Sequence, residues 1–230
     1  MLHPLVLVPG LGSDDAVWRG VIEELADIAA CQLAETRLDD TIAAMATRVL
    51  ASAPPAFALA GVSMGGYVAL EIIRQAPERV TRLALFDTGA RPDSPESSAR
   101  RRAAIAGLDA VGMVEGSRRS VPTLVAADAS DDIRDAVAGM GVRVGRDAYV
   151  RQQHANMHRS DARPFLATIQ VPTIIVFGAL DALTPLELAH ELRDSIPGAK
   201  LHIVAGSGHL PPIEKPKEVA ALMRSWLEAS

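Results

Sequence analysis

The 230-residue chain holds one cysteine, Cys31, so it can form no internal disulfide, and its stability must come from apolar burial. Aromatic residues are only 3% of the chain, which argues against a ligand site built from stacked rings and for one with aliphatic walls. No stretch approaches the ~20 uninterrupted apolar residues of a membrane helix, and no membrane partner is expected. Positive charge is also short: a formal net charge of −5 leaves no broad electrostatic footprint for nucleic acid. The one basic run, Arg100-Arg101-Arg102, is echoed by Arg118-Arg119 and reads as a solvated helix face. Turned inward, it would meet an acidic substrate or carrier. Repeats and low-complexity stretches are missing, which excludes solenoids and disordered tails. The apolar start Met1–Pro9 has no basic leader and is too brief for a signal segment, so it reads as a first strand. With the lone cysteine, this gives the expectation of a cytoplasmic protein, monomeric or homodimeric.

What is present suits one α/β domain with an insertion. Nearly half of the residues are apolar, and the length allows a well-buried core. Short aliphatic runs alternate with helical patterns, the signature of βαβ units and a parallel sheet. Strands are expected at Leu5–Val8, weakly at Ala30–Ala34, and at Phe57–Val62, Arg82–Phe86, Thr173–Phe177 and Lys200–Val204. Between them fall a helix through Val17, Ile22 and Leu25 capped by Ser13-Asp14-Asp15, a second from Ile42 to Leu50 capped by Asp39-Asp40, and a third from Met64 to about Gln75. Later helices are expected near Leu186–Arg193 and at the C-terminus, where Val219, Leu222 and Trp226 share a face. From about Arg91 to Phe165 the pattern is helical without a convincing strand, and Gly107, Gly112, Gly116, Pro122, Gly139, Gly141 and Gly145 read as breaks. The expected organisation is therefore a core of residues 1–90 and 166–230 with a helical cap, 91–165, inserted over the sheet.

Gly61-Val62-Ser63-Met64-Gly65 is a G-x-S-x-G motif between an apolar strand and a helix, where a serine can stand clear of the sheet on a tight turn. A serine hydroxyl is a poor nucleophile at neutral pH, so a base must take its proton and a third group must hold the base in the right tautomer. Two later loops supply candidates. Asp181 lies just past Thr173–Phe177 in Gly178-Ala179-Leu180-Asp181-Ala182-Leu183-Thr184-Pro185, and His209 lies just past Lys200–Val204 in Gly206-Ser207-Gly208-His209.

In these motifs and their order the chain resembles the α/β-hydrolase superfamily over nearly its whole length apart from the insertion: the serine elbow, a GxxDxxTP-like acid loop, and a GxGHxxxxExP-like histidine loop running to Glu214 and Pro216. The resemblance implies an α/β-hydrolase fold with a mostly parallel sheet of about six strands, since the family usually has two strands before the one read here as the first. It implies Ser63 as nucleophile, His209 as general base and Asp181 as the residue orienting the histidine. The loop Val8-Pro9-Gly10-Leu11-Gly12-Ser13, with Trp18 downstream, resembles the family's His-Gly-x loop with proline in place of the usual histidine. It offers the Leu11 N–H, beside that of Met64, for an oxyanion hole. The implied activity is cleavage of a carboxylic ester; a lactone resembling those of enol-lactone hydrolases, or a thioester, are the close rivals.

Other members of the fold are disfavoured by single residues. Hydroxynitrile lyases add a lysine near the acid loop, whereas Lys200, Lys215 and Lys217 lie outside it. Haloalkane dehalogenases and most epoxide hydrolases carry aspartate at the elbow, where this chain has Ser63. A non-catalytic receptor of this fold would keep the triad and differ in turnover. Met113, Val121, Met140, Tyr149 and Met157 are candidates for the roof of the pocket, as well as for the core of the cap, because methionine adapts to varied apolar shapes. Leu210, beside His209, joins them as a substrate-contact candidate. His154 and His158, spaced i, i+4 with Asp161 close behind, read as ordinary helix surface or core, with substrate contact, His154 first, as the alternative. A metal is not expected there, because no third strong ligand is evident. Cofactor motifs are absent, and no cofactor is expected.

Overall fold

Strands buried on both faces have continuous apolar sequences, and that is the character of the chain's central runs. In the computed structural model, which describes residues 2–229, six strands form one sheet: β1 (His3–Val8), β2 (Ala29–Leu33), β3 (Phe57–Val62), β4 (Val80–Phe86), β5 (Thr173–Gly178) and β6 (Lys200–Val204). Their order is β2-β1-β3-β4-β5-β6, and every neighbouring pair is parallel. Every residue of β3 and β5 is buried, whereas the edge strands β2 and β6 are partly exposed. Alternation along the strands sends side chains to two apolar layers. Leu5, Leu7, Val62 and Phe86 pack with Trp18, Met223 and Trp226 on one face; Val6, Val8, Leu85 and Phe177 pack with Met45, Ile72 and Leu192 on the other.

The helices that supply these layers are α1 (Arg19–Glu24) and α9 (Pro216–Glu228) on the first face, and α2 (Ile42–Ser52), α3 (Met64–Gln75) and α7 (Leu186–Ser195) on the second. Two local details differ from the sequence reading. The expected first helix is split into a 3₁₀ turn, Asp15–Val17, and α1, with Trp18 between them. Trp18 is fully buried, donates its indole N–H to Val8 C=O at 3.3 Å and meets the Phe86 ring edge-on at 5.2 Å, so the chain bends to seat it. The cap of α2 is Thr41, which accepts from Ala44 N–H, while Asp39 is engaged by Arg48.

Between β4 and β5 the chain forms α4 (Pro95–Leu124), α5 (Asp131–Val144), α6 (Arg146–Met157) and a 3₁₀ turn, Arg163–Thr168. Of the seven predicted breaks, only Gly112 and Gly145 interrupt the helices, with φ of 78° and 77°. Gly107, Gly116, Pro122, Gly139 and Gly141 lie inside helices. Gly141 serves packing instead: a Cβ there would meet Ser117 Oγ at 2.4 Å, so the missing side chain lets α4 and α5 approach. The three helices are tied to the C-terminal edge of the sheet. Gln152 on α6 accepts from Gly12 N–H at 2.8 Å and donates to Thr36 C=O, and Arg143 on α5 pairs with Asp14 at 2.5 Å. In open parallel sheets that edge is where ligands bind. Among the described residues no helix is long and apolar enough to cross a membrane.

Candidate active site

Ser63 stands between β3 and α3 with φ 55° and ψ −117°, a conformation that costs a non-glycine residue about 1–3 kcal/mol. Surrounding contacts hold it there. Its N–H donates to Phe86 C=O at 2.8 Å, and its own C=O accepts from Gly66 N–H and from the Thr88 hydroxyl. The turn also needs bare backbone on both flanks: a Cβ on Gly61 would meet Gly65 C=O at 2.2 Å, and one on Gly65 would meet Val8 C=O at 2.3 Å. The spacing of the motif is thus a steric requirement of the elbow.

His209 Nε2 lies 2.8 Å from Ser63 Oγ, and its Nδ1 lies 2.8 Å from Asp181 Oδ2. A carboxylate can only accept, so the proton sits on Nδ1 and leaves Nε2 free to accept from the serine hydroxyl. The imidazole and carboxylate side chains are 5% and 2% exposed, dry enough for the pairing to count. Thr184 Oγ1 stands 3.2 Å from Nδ1 while donating to Asp87 C=O, which adds a second restraint on the ring plane. Burial pushes the Asp181 carboxyl up, but the hydrogen bond and charge of His209 and the N–H groups of Leu183 and Thr184 outweigh it. The net effect holds Asp181 below the ordinary 3.8.

The histidine loop is fastened by Glu214 in α8 (Pro211–Glu214). This buried carboxylate accepts from the N–H groups of Ala126, Gly208 and Leu210 and from the Ser207 hydroxyl. His209 N–H donates in turn to Leu124 C=O at the end of α4. The histidine loop and the helices between β4 and β5 therefore share one hydrogen-bond network.

The loop after β1 passes close to the serine: a Cβ on Gly10 would lie 3.4 Å from Ser63 Cβ. Neither Leu11 N–H nor Met64 N–H has a hydrogen-bond partner among the described residues. Leu11, Leu210, Tyr67, Asn156, Arg100 and Arg101 are among the walls of a cavity of about 350 Å³ that contains Ser63 and His209. An adjoining, more apolar cavity of about 480 Å³ is lined by Leu108, Val111, Met113, Val137, Met140 and Tyr149, and it shares Leu11, Arg101 and Leu183 with the first.

Of the sequence candidates, Met113, Met140, Tyr149 and Leu210 thus line these spaces, and three others do not. Val121 points into the apolar core. Met157 lies beside Arg102, and His154 is exposed, stacked on His158 at 6.4 Å. Asp161 pairs with Arg163, so that histidine pair gains no carboxylate from it. The basic run is not uniformly a solvated face: Arg101 bonds Asp93 and Gln153 and borders both cavities, and Arg119 borders the apolar one. Sequence reasoning missed Asp87, Gln153 and Asn156. Asp87 had a readable signal, because it directly follows the apolar run of β4 at the sheet edge where the site lies. The other two, on α6, had none.

Fold and site define a hydrolase, and the family model described as alpha/beta hydrolase family matches residues 5–222; the chain belongs to that family. Among its relatives is a pimeloyl-[acyl-carrier protein] methyl ester esterase of Neisseria meningitidis serogroup B, 29% identical over 81% of this chain and 75% of the relative. Among solved structures, a thermophilic esterase from Thermogutta terrifontis superposes with a TM-score of 0.88 at 28% identity, covering 98% of this chain and 89% of that one. The enol-lactonase from Burkholderia xenovorans LB400 has the same fold, with a TM-score of 0.87 at 21% identity over 99% and 91% of the two chains.

Proposed function

We propose that the protein is a carboxylesterase acting through an acyl-enzyme on Ser63. The observation that carries this reading is the unbroken hydrogen-bond chain Ser63–His209–Asp181 opening into a cavity. Ser63 Oγ attacks the ester carbonyl while His209 Nε2 takes its proton, and Asp181 stabilises the imidazolium that forms. The Leu11 and Met64 amides face the developing oxyanion, a contribution of about 10²–10³ in rate per donor. The imidazolium then protonates the departing alcohol, and the base so regenerated activates the water that releases the acid.

Residues 91–165 act as the cap over this site. The apolar cavity beneath it receives the acyl chain, and Arg100 and Arg101 border the mouth near Ser63. Relatives named for a pimeloyl-[acyl-carrier protein] methyl ester agree with an acyl chain of several carbons in that space.

A fluorophosphonate probe tests the nucleophile directly, read by intact mass on wild type and Ser63→Ala. A stoichiometric adduct on wild type that is absent from the variant is expected, and esters, thioesters and lactones of graded length then rank the substrate class. A folded wild type that stays unlabelled would overturn the reading.

A further inference from the structure

Among described residues other than glycine, only Ser63 and Asp87 have positive φ, 55° and 42°. They stand at the C-terminal ends of neighbouring central strands, β3 and β4, and backbone strain of this kind persists only where the surroundings enforce it. Ser63 has its explanation in the elbow; Asp87 has none so far. Its side chain is wholly buried, with Oδ1 accepting from Gly178 N–H at 2.8 Å and Oδ2 buried without a hydrogen-bond partner. One nitrogen or oxygen from each of Asp87, Asp181 and His209 falls within 4.8 Å of the others.

The hydrogen-bond needs of the two carboxyl groups decide between their charge states. Asp181 Oδ1 accepts from the N–H groups of Leu183 and Thr184, and its Oδ2 accepts from His209. An ionised Asp87 would be an acceptor facing another acceptor, with a second buried charge beside the first. A proton on Oδ2 turns the orphaned atom into a donor.

We propose that Asp87 is a positioning residue: held as the neutral acid, it donates from Oδ2 to the Asp181 carboxylate and fixes the rotation that presents Asp181 Oδ2 to His209. This rests on the triad reading above. The titratable groups facing Asp87 are Asp181 from the loop after β5 and His209 and Glu214 from the segment after β6. Burial first, and then the charge of Asp181, push the Asp87 carboxyl well above its ordinary 3.8, against the opposing pull of the Gly178 N–H. A dry site can keep a carboxylic acid neutral near pH 7 for this purpose. Its proton stays in place through the cycle; the one that moves is the Ser63 proton, to His209.

Asp87→Asn retains a donor in the same place and cannot ionise, whereas Asp87→Ala removes the donor. The expected result is kcat within about threefold of wild type for D87N and a fall of about tenfold to a hundredfold for D87A, with KM nearly unchanged in both. Independently of activity, the infrared difference spectrum of wild type minus D87N at neutral pH is expected to contain the C=O band of a protonated carboxyl. A wild type that takes the fluorophosphonate label but lacks that band overturns this inference and leaves the triad standing. So does a D87N enzyme as impaired as D87A. If D87A does not fold, the band and the D87N kinetics decide the matter.

Discussion

Buried polar atoms at the residue scale link chemistry to stability here. A neutral Asp87 in the fold faces an unfolded state in which the same carboxyl ionises above about 3.8. Its pKa is raised by folding, so the stability it lends is complete below the unfolded value and is lost as pH rises toward the folded one. Asn at this position has no such dependence. The melting temperature of Asp87→Asn, measured against wild type from about pH 3 to about pH 8, should therefore improve relative to wild type as pH rises. Parallel curves would mean that Asp87 titrates like an exposed aspartate. Asp181 has the opposite sign: its carboxyl is held below 3.8, so its contribution is present above that value and lost as pH falls through its folded pKa.

At the scale of elements, the loops at the C-terminal sheet edge matter more than the helices they join. Glu214 is the clearest case, because one carboxylate collects donors from the histidine loop and from Ala126 just past α4. Glu214→Gln turns an NH₂ toward donors that need an acceptor, and the loss of a charged hydrogen-bond partner in a buried place costs about 1–3 kcal/mol or more. Urea unfolding should show that loss, and kcat should fall with it because His209 is carried by the same loop. An unchanged midpoint would show that the network is redundant. The strands of the centre were legible because burial on both faces leaves runs such as Phe57–Val62 with no polar interruption. The candidate triad was legible from its motifs: Ser63 directly follows such a run, Asp181 lies three residues past β5, and His209 lies in a glycine-containing loop after the edge strand β6. The helical insertion was harder: glycine reads as a break, yet Gly116 makes room for Leu108 within α4 and Gly141 lets α5 approach Ser117 of α4, and only contact in three dimensions separates that use from the turns at Gly112 and Gly145.

In the proposed reaction the whole molecule divides its tasks between a sheet that fixes the reacting atoms and helices that shape the space around them. Asp87 escaped the sequence reading because its role depends on β4 and β5 being neighbours, although three helices separate them along the chain. The roof candidates divided for a similar reason: helical periodicity places Val121 and Met140 equally, and both join the buried core, but only Met140 also borders the cavity. The apolar cavity of about 480 Å³ beside the serine predicts selectivity by acyl length. Each methylene buried there adds about 0.8 kcal/mol of binding, so kcat/KM for p-nitrophenyl esters should climb with chain length until the space is filled. Met113 is a half-buried wall residue, and Met113→Trp should narrow the cavity without overpacking the core. The expected outcome is a loss of about tenfold or more on the longest acyl chains with little change on acetate, a discrimination within reach of one pocket contact. Equal losses at every length would mean that the acyl group lies elsewhere, and would move the cap from a determinant of specificity to a cover over the site.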